Sequence, residues 1–247
     1  MSADSRLRFS IQSWHAASTR LHTGEDWAAW ASGRLNAVDL PDTPPKVDFL
    51  PAMQRRRLGL SARLLFAAAQ PLLAEGESCP LVLASHDGEI NRSFDLWVTL
   101  LRDNEVSPTS FGLSVHNALA GQWSMLRGDM SEYTALSVRQ SSLETAVLEA
   151  AGLLADGAER VLVLVADEPL QVQYPAAPVE RAPFAHALAL LLTAGEEWEL
   201  SPAAPDGGTA NCGYWGALEW LRQQHSDGRQ WINRYADKAW QWQRLTP

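Results

Sequence analysis

One stretch near the middle of the chain constrains the fold more than any other: TALSVRQSSLETAVLEAAGLLADGAERVLVLVADE, residues 134–168. It begins with a short apolar strand, residues 134–138, and continues into a helical pattern that starts near Ser141. The turn ADGAE then leads to the apolar run RVLVLVADE, which is typical of a strand buried on both faces. Strand, helix and strand in this order predict a βαβ unit with a right-handed crossover and parallel strands.

The segments before this unit continue the alternation of strands and helices. Residues 7–14 alternate apolar and polar side chains as a half-buried strand does, and PLVLAS predicts a buried strand followed by a loop. EINRSFDLWVTLLRDN predicts an amphipathic helix with Phe94 and Trp97 on its apolar stripe. Residues 39–51 are rich in proline and predict a loop, and residues 52–73 predict one helix.

The C-terminal part differs in composition, because it is rich in tryptophan. Residues 184–195 and 198–204 predict two strands that could pair as a hairpin around Gly195, and residues 214–225 and 228–245 predict two helices. On the second helix Trp231, Tyr235 and Trp242 would share a stripe, which either caps the sheet or forms a subunit interface. We therefore predict an α/β fold with a mixed, mostly parallel sheet between helices. It comprises a main domain over residues 1–200 and a Trp-rich helical tail over residues 201–247.

Charge and cysteine content exclude several classes of protein. The net charge is −9 and the pI about 5.1, so a nucleic-acid partner is not expected. The two cysteines have no metal-ligand spacing, and we expect neither a metal nor a cofactor. No signal peptide or apolar membrane segment is evident, which favours a cytoplasmic protein without membrane insertion. One basic cluster remains, which is either a solvated helical turn or a dock for an acidic partner: Arg55, Arg56, Arg57 and Arg63.

The junction between strand and helix raises the question of chemistry. α/β enzymes often place a nucleophile there, since the helix N-terminus stabilises negative charge. Here Gln140 precedes S-x-x-E, residues 141–144, which predicts a capping box at the start of the helix. An amide can donate and accept hydrogen bonds but is not a nucleophile. From the residues alone Gln140 is either a site residue or an ordinary polar residue of a turn.

Two runs carry a resemblance to a known family. SPTSFGLSVHNALAG and the strand ending VADEPL resemble the N-terminal half of β-ketoacyl synthases, over roughly residues 49–170. The similarity is greatest to short synthase-like proteins that act as chain-length factors in aryl polyene pathways. The resemblance implies a thiolase-type fold, and a gapless placement puts Gln140 where a ketosynthase has its reactive cysteine. It also implies that the C-terminal half, with the two ketosynthase histidines, is missing, so we expect no condensing activity.

The resemblance further implies a heterodimer with a β-ketoacyl synthase, which receives its substrates on an acyl carrier protein. The strand before this strand-to-helix junction would pair with the partner through Thr134, Leu136 and Val138. Residues closing the far end of the partner's acyl tunnel would be Phe94, Trp97, Val115 and His116. The alternative for Phe94 and Trp97 is a core position, and for His116 and Asn117 a structural hydrogen-bond pair. The basic cluster Arg55, Arg56, Arg57 and Arg63 would be the possible dock for the carrier protein.

Two other functions remain open at this stage. The chain could decarboxylate malonyl carrier protein with the Gln140 amide stabilising the enolate. It could also be a scaffold that recruits carrier protein through its basic cluster. The expected function is that of a non-catalytic chain-length factor in fatty-acid-like or aryl polyene chain elongation.

Overall fold

The computed structural model describes residues 6–174, 181–204, 210–213 and 215–246. The strands are β1 Leu7–Ser18, β2 Leu81–Ser85, β3 Tyr133–Ser137, β4 Arg160–Asp167, β5 His186–Ala203, β6 Gln230–Arg234 and β7 Ala239–Arg244. The helices are α1 Gly24–Ala31, α2 Ala52–Arg55, α3 Leu60–Ala69, α4 Ile90–Asp103, α5 Pro108–Gly112, α6 Ala118–Arg127, α7 Ser142–Ala155 and α8 Gly216–Gln224. Single 3₁₀ turns occupy Ala37–Asp39 and Gln70–Leu72.

The described strands form one mixed sheet in the order β3-β2-β4-β5-β7-β6, with β1 paired along the other side of β5. The βαβ prediction is confirmed: β3 and β4 flank β2, and both run parallel to it. The remaining pairings are antiparallel, so the parallel part of the sheet is smaller than predicted. A mixed α/β fold with a central sheet is therefore confirmed.

Strand β4 shows why the sequences of the central strands are continuously apolar. Its Val161, Val163 and Val165 belong to one core, and its Leu162 and Leu164 belong to the other. Helices α1, α7 and α8 lie on the first face, and α3 and α6 lie on the second. Because both faces of these strands are buried, no polar side chain alternates with the apolar ones.

The predicted hairpin around Gly195 is wrong, since β5 is a single strand of 18 residues. Its pairing with β1 shifts register between Phe9 and Ser10, where a Cβ on Gly195 would lie 2.0 Å from Ser10 Oγ. The glycine therefore allows a close approach of two strands and does not form a turn. Strand β5 also crosses residue 200, so the sheet continues through the predicted domain boundary.

The predicted helix over residues 228–245 is also wrong, because this segment forms the antiparallel pair β6 and β7. Trp231 and Tyr235 are four residues apart, a spacing that puts side chains on one face of a helix and equally of a strand. Trp, Ile and Tyr favour strands, and pairing with β5 gives this hairpin a place in the sheet. The first predicted C-terminal helix is confirmed as α8.

The predicted helix over residues 52–73 is interrupted. It forms α2 and α3, separated by residues 56–59. Gly59 lies against the buried Glu89 and its partner Arg92, and a Cβ there would be 2.7 Å from Glu89 Oε2. This close approach places α3 directly beside the start of α4, at the edge where β2 and β4 end.

Candidate functional site

The junction between β3 and α7, residues 138–142, is called the elbow from here on. Val138 N donates a 2.9 Å hydrogen bond to Ser85 O, which keeps the chain next to β2 beyond the end of β3. Ser141 then adopts left-handed backbone angles, φ 60° and ψ 41°, and is completely buried. A non-glycine residue in this conformation at a strand-to-helix turn is the strained geometry of a nucleophile elbow. The strained position is thus Ser141, one residue after Gln140.

Gln140 is half-buried and faces the C-terminal hairpin. Its Oε1 accepts a 3.3 Å hydrogen bond from the backbone N–H of Ala236, in the turn between β6 and β7. An amide in this position links two segments of backbone. The structure thus gives Gln140 a structural contact, and its correspondence to a ketosynthase cysteine stays a prediction.

The predicted capping box is wrong. Ser141 makes no capping bond to α7, and its hydroxyl instead donates to the backbone oxygen of Gln140. Glu144 does not reach back to the helix start, because it is fully buried and accepts hydrogen bonds from three residues of the C-terminal hairpin: Asn233, Tyr235 and Trp242. The four-residue S-x-x-E pattern carries no information about hydrogen-bond donors that lie about ninety residues away in the sequence. A signal did exist, since Glu144 lies among the apolar, buried side chains of α7.

The residues predicted to face an acyl tunnel lie together on α4 and on the segment before α6. None of the α4 side chains is buried, and Trp97 is 64% exposed. Phe94 is half-buried and stacks on Tyr174, with ring centroids 4.5 Å apart. Val115 is exposed. For Trp97 the alternative of a core position is therefore excluded in the isolated chain, whereas Phe94 is partly buried.

His116 lies 2.8 Å through Nε2 from Ser85 Oγ, at the end of β2. Ser85 Oγ also accepts a 2.9 Å bond from Gly88 N, and its one proton can be donated to His116 when Nε2 is unprotonated. Burial lowers the pKa of His116, which favours this neutral, accepting form. A serine beside a histidine resembles a nucleophile and its base, but Ser85 is completely buried. The pair is structural and fixes the loop before α6 to the sheet.

Strand β3 forms the edge of the described sheet, with β2 as its one described neighbour. Thr134 and Leu136 lie on this strand and Val138 just after it, and all three are half-buried. In the described part of the chain fifteen large hydrophobic side chains are exposed, and nine of them lie within residues 97–133, on α4, α5, α6 and β3 or beside them. We call these nine the 97–133 surface: Trp97, Val98, Leu100, Leu101, Phe111, Val115, Met125, Met130 and Tyr133.

The basic cluster divides into two pairs. Arg55 forms an ion pair with Asp48, and Arg63 donates a 2.7 Å hydrogen bond to the backbone oxygen of Arg55. Arg56 and Arg57 are exposed. Arg57 also borders an apolar cleft of about 270 Å³ between α2, α5 and α6, whose walls include Met53, Leu113 and Met125.

A third group of polar side chains lies where β2 and β4 end. Asp167 is buried and accepts a 2.7 Å bond from His86 N, and burial raises its pKa to about 7. Burial and the nearby Glu89 charge likewise raise the pKa of Glu168 to about 7. Glu89 is bonded to Arg92 at 2.8 Å, and burial raises its pKa as well. Glu89, Arg92 and Glu168 border an open cavity of about 560 Å³.

Within the described residues, His, Cys, Asp and Glu side chains form no cluster that could bind a metal ion. None of the described helices has both the length and the apolar character needed to cross a membrane.

Comparisons with known proteins agree with this architecture. The profile of a family described as "Beta-ketoacyl synthase, N-terminal domain" matches residues 27–243. No curated protein matches the sequence significantly. Among solved structures, the chain is similar to one in the complex of ketosynthase ApeO with its chain length factor ApeC from Xenorhabdus doucetiae. The identity is 23%, the TM-score is 0.83, and the match covers 96% of this chain and 100% of that chain.

Two further structures share the fold. One is a type II polyketide synthase acyl carrier protein in complex with its ketosynthase bound to a hexaketide (AntDE:AntF). It has 12% identity and a TM-score of 0.67, and the match covers 97% of this chain and 100% of that chain. The other is a β-ketoacyl synthase from Burkholderia phymatum, with 14% identity, a TM-score of 0.58, and coverage of 90% and 71%. These likenesses confirm the ketosynthase-type fold that the sequence predicted.

Proposed function

Since the chain belongs to the β-ketoacyl synthase N-terminal domain family, we propose that it is a non-catalytic chain-length factor. In this role it forms a heterodimer with a separate β-ketoacyl synthase and closes the far end of that subunit's acyl tunnel. The observation that carries the proposal is a combination of two features. The elbow has a glutamine at its predicted nucleophile position, and β3, which has one neighbour among the described strands, carries or lies near exposed apolar side chains of the 97–133 surface.

The elbow supports the absence of condensing chemistry. A condensing enzyme of this family needs a thiolate that attacks an acyl thioester, and an amide cannot do this. The oxygen of Gln140 already accepts a hydrogen bond from Ala236 N. Ser141, at the strained position, is completely buried, and its hydroxyl donates to a backbone oxygen. Neither side chain is arranged to attack a substrate.

The β3 edge supports a second subunit as the occupant of this region. An edge strand exposes unpaired backbone groups, which favour pairing with another strand. The nine exposed side chains of the 97–133 surface lie on or beside this strand and α4, α5 and α6, and exposed apolar surface of this kind marks interaction sites when it is contiguous. The structure of comparable extent from X. doucetiae is that of a ketosynthase with its chain length factor, which supports a ketosynthase as the partner.

The α4 side chains support a role in setting product length. Trp97 and Phe94 lie one turn apart on α4, and Val115 lies beyond the α4–α5 pair. If this face covers the partner's tunnel, the bulk of these side chains limits the length of the acyl chain inside. His116 would then hold the loop that carries Val115 through its bond to Ser85.

The first experiment co-expresses the chain with a candidate β-ketoacyl synthase from the same genome and carrier protein loaded with substrate. We expect a one-to-one complex by native mass spectrometry, and longer or more widely distributed products with Trp97→Ala or Phe94→Ala. Trp14→Ala is the matched control, because Trp14 is an exposed tryptophan on β1 and lies outside the 97–133 surface. Unchanged product lengths in both α4 variants, or a chain that never associates with a synthase, would contradict the proposal.

A carrier-protein dock is supported by the exposed pair Arg56 and Arg57 next to the apolar cleft. Acidic carrier proteins would meet these guanidinium groups, and an apolar side chain of the carrier would fit between Met53 and Met125. Arg55 pairs with Asp48 and Arg63 bonds to the backbone of Arg55, so these two side chains would hold the segment between α2 and α3 in shape. The double variant Arg56→Glu/Arg57→Glu should weaken carrier binding at least tenfold. The exposed Arg34→Glu is the control, and equal affinities of the two would rule out the dock.

A further inference from the structure

Next to the elbow, the first turn of α7 contains one buried carboxylate that the proposed function does not use. Glu144 lies in the first turn of α7 and is completely buried. Among the described residues it forms no ion pair, and a carboxylate without a counter-ion is costly to bury unless hydrogen bonds replace its hydration. Glu144 is also the one acidic residue in that first turn.

Three neutral donors from the C-terminal hairpin replace the water around this carboxylate. Asn233 Nδ2 donates to Oε1 at 2.7 Å and Trp242 Nε1 donates to the same oxygen at 3.1 Å. Tyr235 OH donates to Oε2 at 2.8 Å. These bonds fasten β6 and β7 to α7, and the bond from Ala236 N to Gln140 Oε1 adds a fourth contact at the same end of the helix.

The N-terminus of α7 is the part of the elbow that would otherwise attract an anion. The free N–H groups and aligned peptide dipoles of a helix give its N-terminus a charge of about +0.5. Ser141 makes no capping bond there. A full negative charge held in the first turn therefore opposes the potential that a thiolate or an enolate would need.

We infer that Glu144, in the first turn of α7 next to the elbow, is a buried anion whose position offsets the positive end of the helix dipole and whose hydrogen bonds fasten the β6–β7 hairpin to α7. The elbow is thereby a structural joint between the two ends of the sheet and does not stabilise negative charge on a ligand. This inference goes beyond the proposed function, because it concerns the isolated chain and requires no partner.

Neighbouring groups respond to the same charge. Burial raises the pKa of Cys212 to about 12, and the Glu144 charge adds to the effect. Burial also raises the pKa of Tyr235, and Glu144 again contributes. Both effects agree with a negative potential around the end of α7.

A thiol placed in the elbow measures this potential directly. The reporter is Gln140→Cys in a background of Cys79→Ser and Cys212→Ser, and the pH dependence of its alkylation gives the thiol pKa. Helix N-termini lower thiol pKa values from about 8.5 to between about 3.5 and 7.5. With Glu144 present we expect a pKa at or above the ordinary value. Adding Glu144→Gln, which keeps the shape and removes the charge, should lower the pKa by about one unit or more.

Glu149→Gln is the matched control, because Glu149 is an exposed carboxylate further along the same helix. It should leave the reporter's pKa within about 0.3 units. A reporter pKa below about 7.5 with Glu144 in place, or a shift of less than one unit with Glu144→Gln, would overturn the inference. Near-UV circular dichroism establishes that each compared variant is folded.

A second arm tests the joint without removing the carboxylate, and it decides the question if Glu144→Gln does not fold. Tyr235→Phe deletes one donor to Glu144 and retains the ring. Hydrogen exchange in the β6–β7 hairpin should become at least tenfold faster, with no change in α3. Tyr133→Phe on β3 is the control, since no hydrogen bond of its hydroxyl is described. Unchanged exchange of the hairpin in Tyr235→Phe would refute the joint.

Discussion

Both ends of the sheet finish in a strand with one described neighbour, β6 at one end and β3 at the other, but they differ in how much apolar surface they expose. At the β6–β7 end, the hairpin buries Trp231 and Trp242 against each other and saturates the buried Glu144 with hydrogen bonds. At the β3 end the 97–133 surface is exposed, whereas the described β6–β7 hairpin exposes no large hydrophobic side chain. This contrast fits the proposal that the β3 end meets a second subunit.

The strongest way to break this comparison is to remove the satisfied carboxylate. Glu144→Ala leaves Asn233, Tyr235 and Trp242 without their acceptor and creates a cavity. We expect the free energy of unfolding to fall by about 3–5 kcal/mol, measured by urea denaturation. Glu149→Ala on the exposed side of α7 should cost less than about 1 kcal/mol. Equal losses in the two variants would mean that the hairpin end does not depend on this network.

The opposite end is tested by charging the 97–133 surface. Leu101→Glu/Phe111→Glu should leave the stability of the isolated chain within about 1 kcal/mol of the unmodified protein, since both side chains are exposed. Affinity for the synthase partner should fall at least tenfold, which corresponds to about 1.4 kcal/mol. Isothermal titration calorimetry measures the affinity and urea unfolding the stability. A large loss of stability with unchanged affinity would reverse the roles assigned to the two ends.

The buried Asp167 on the central strand β4 makes the stability of the chain depend on pH, which separates the sheet centre from its two ends. Its folded pKa of about 7 exceeds the ordinary 3.8, so its contribution to stability is lost as pH rises from about 4 to 7. Asp167→Asn keeps an oxygen for the bond from His86 N and removes the charge. We expect the variant to be more stable by about 4 kcal/mol at pH 8, because a pKa raised from 3.8 to about 7 corresponds to about 1.4 kcal/mol per unit, with no difference near pH 4. A constant difference across this range in thermal unfolding would show that burial of the charge is not the cause.

The smallest expected effect concerns the loop that carries Val115, one of the residues of the 97–133 surface. Because burial lowers the pKa of His116 below 6.5, the neutral imidazole contributes stability that is present at neutral pH and is lost as pH falls below that value. His116→Asn should cost about 1 kcal/mol at pH 7.5 and less at pH 5. Hydrogen exchange of residues 113–117 gives the local readout. Exchange that is insensitive to both pH and the substitution would remove His116 as the anchor of this loop.

Local patterns in the sequence determined the central part of the fold. The run RVLVLVADE and the helix before it required a βαβ unit, because a strand buried on both faces has no polar alternation. The amphipathic stripe of α4 likewise predicted the helix, although not its exposure. The same residues carried the resemblance to the β-ketoacyl synthase family, and the elbow with its glutamine was apparent before any coordinates.

Only the tertiary structure decided what the elbow contacts. Trp231 and Tyr235 have a spacing that fits a strand as well as a helix, and pairing with β5 selected the strand. Glu144 fits a capping box by its position, but hairpin donors about ninety residues away offered a buried carboxylate more hydrogen bonds than the helix start could. The local sequence determines which secondary structures a segment can form. Residues distant along the chain determine which of these forms, because a buried polar group must find hydrogen-bond partners wherever the fold supplies them.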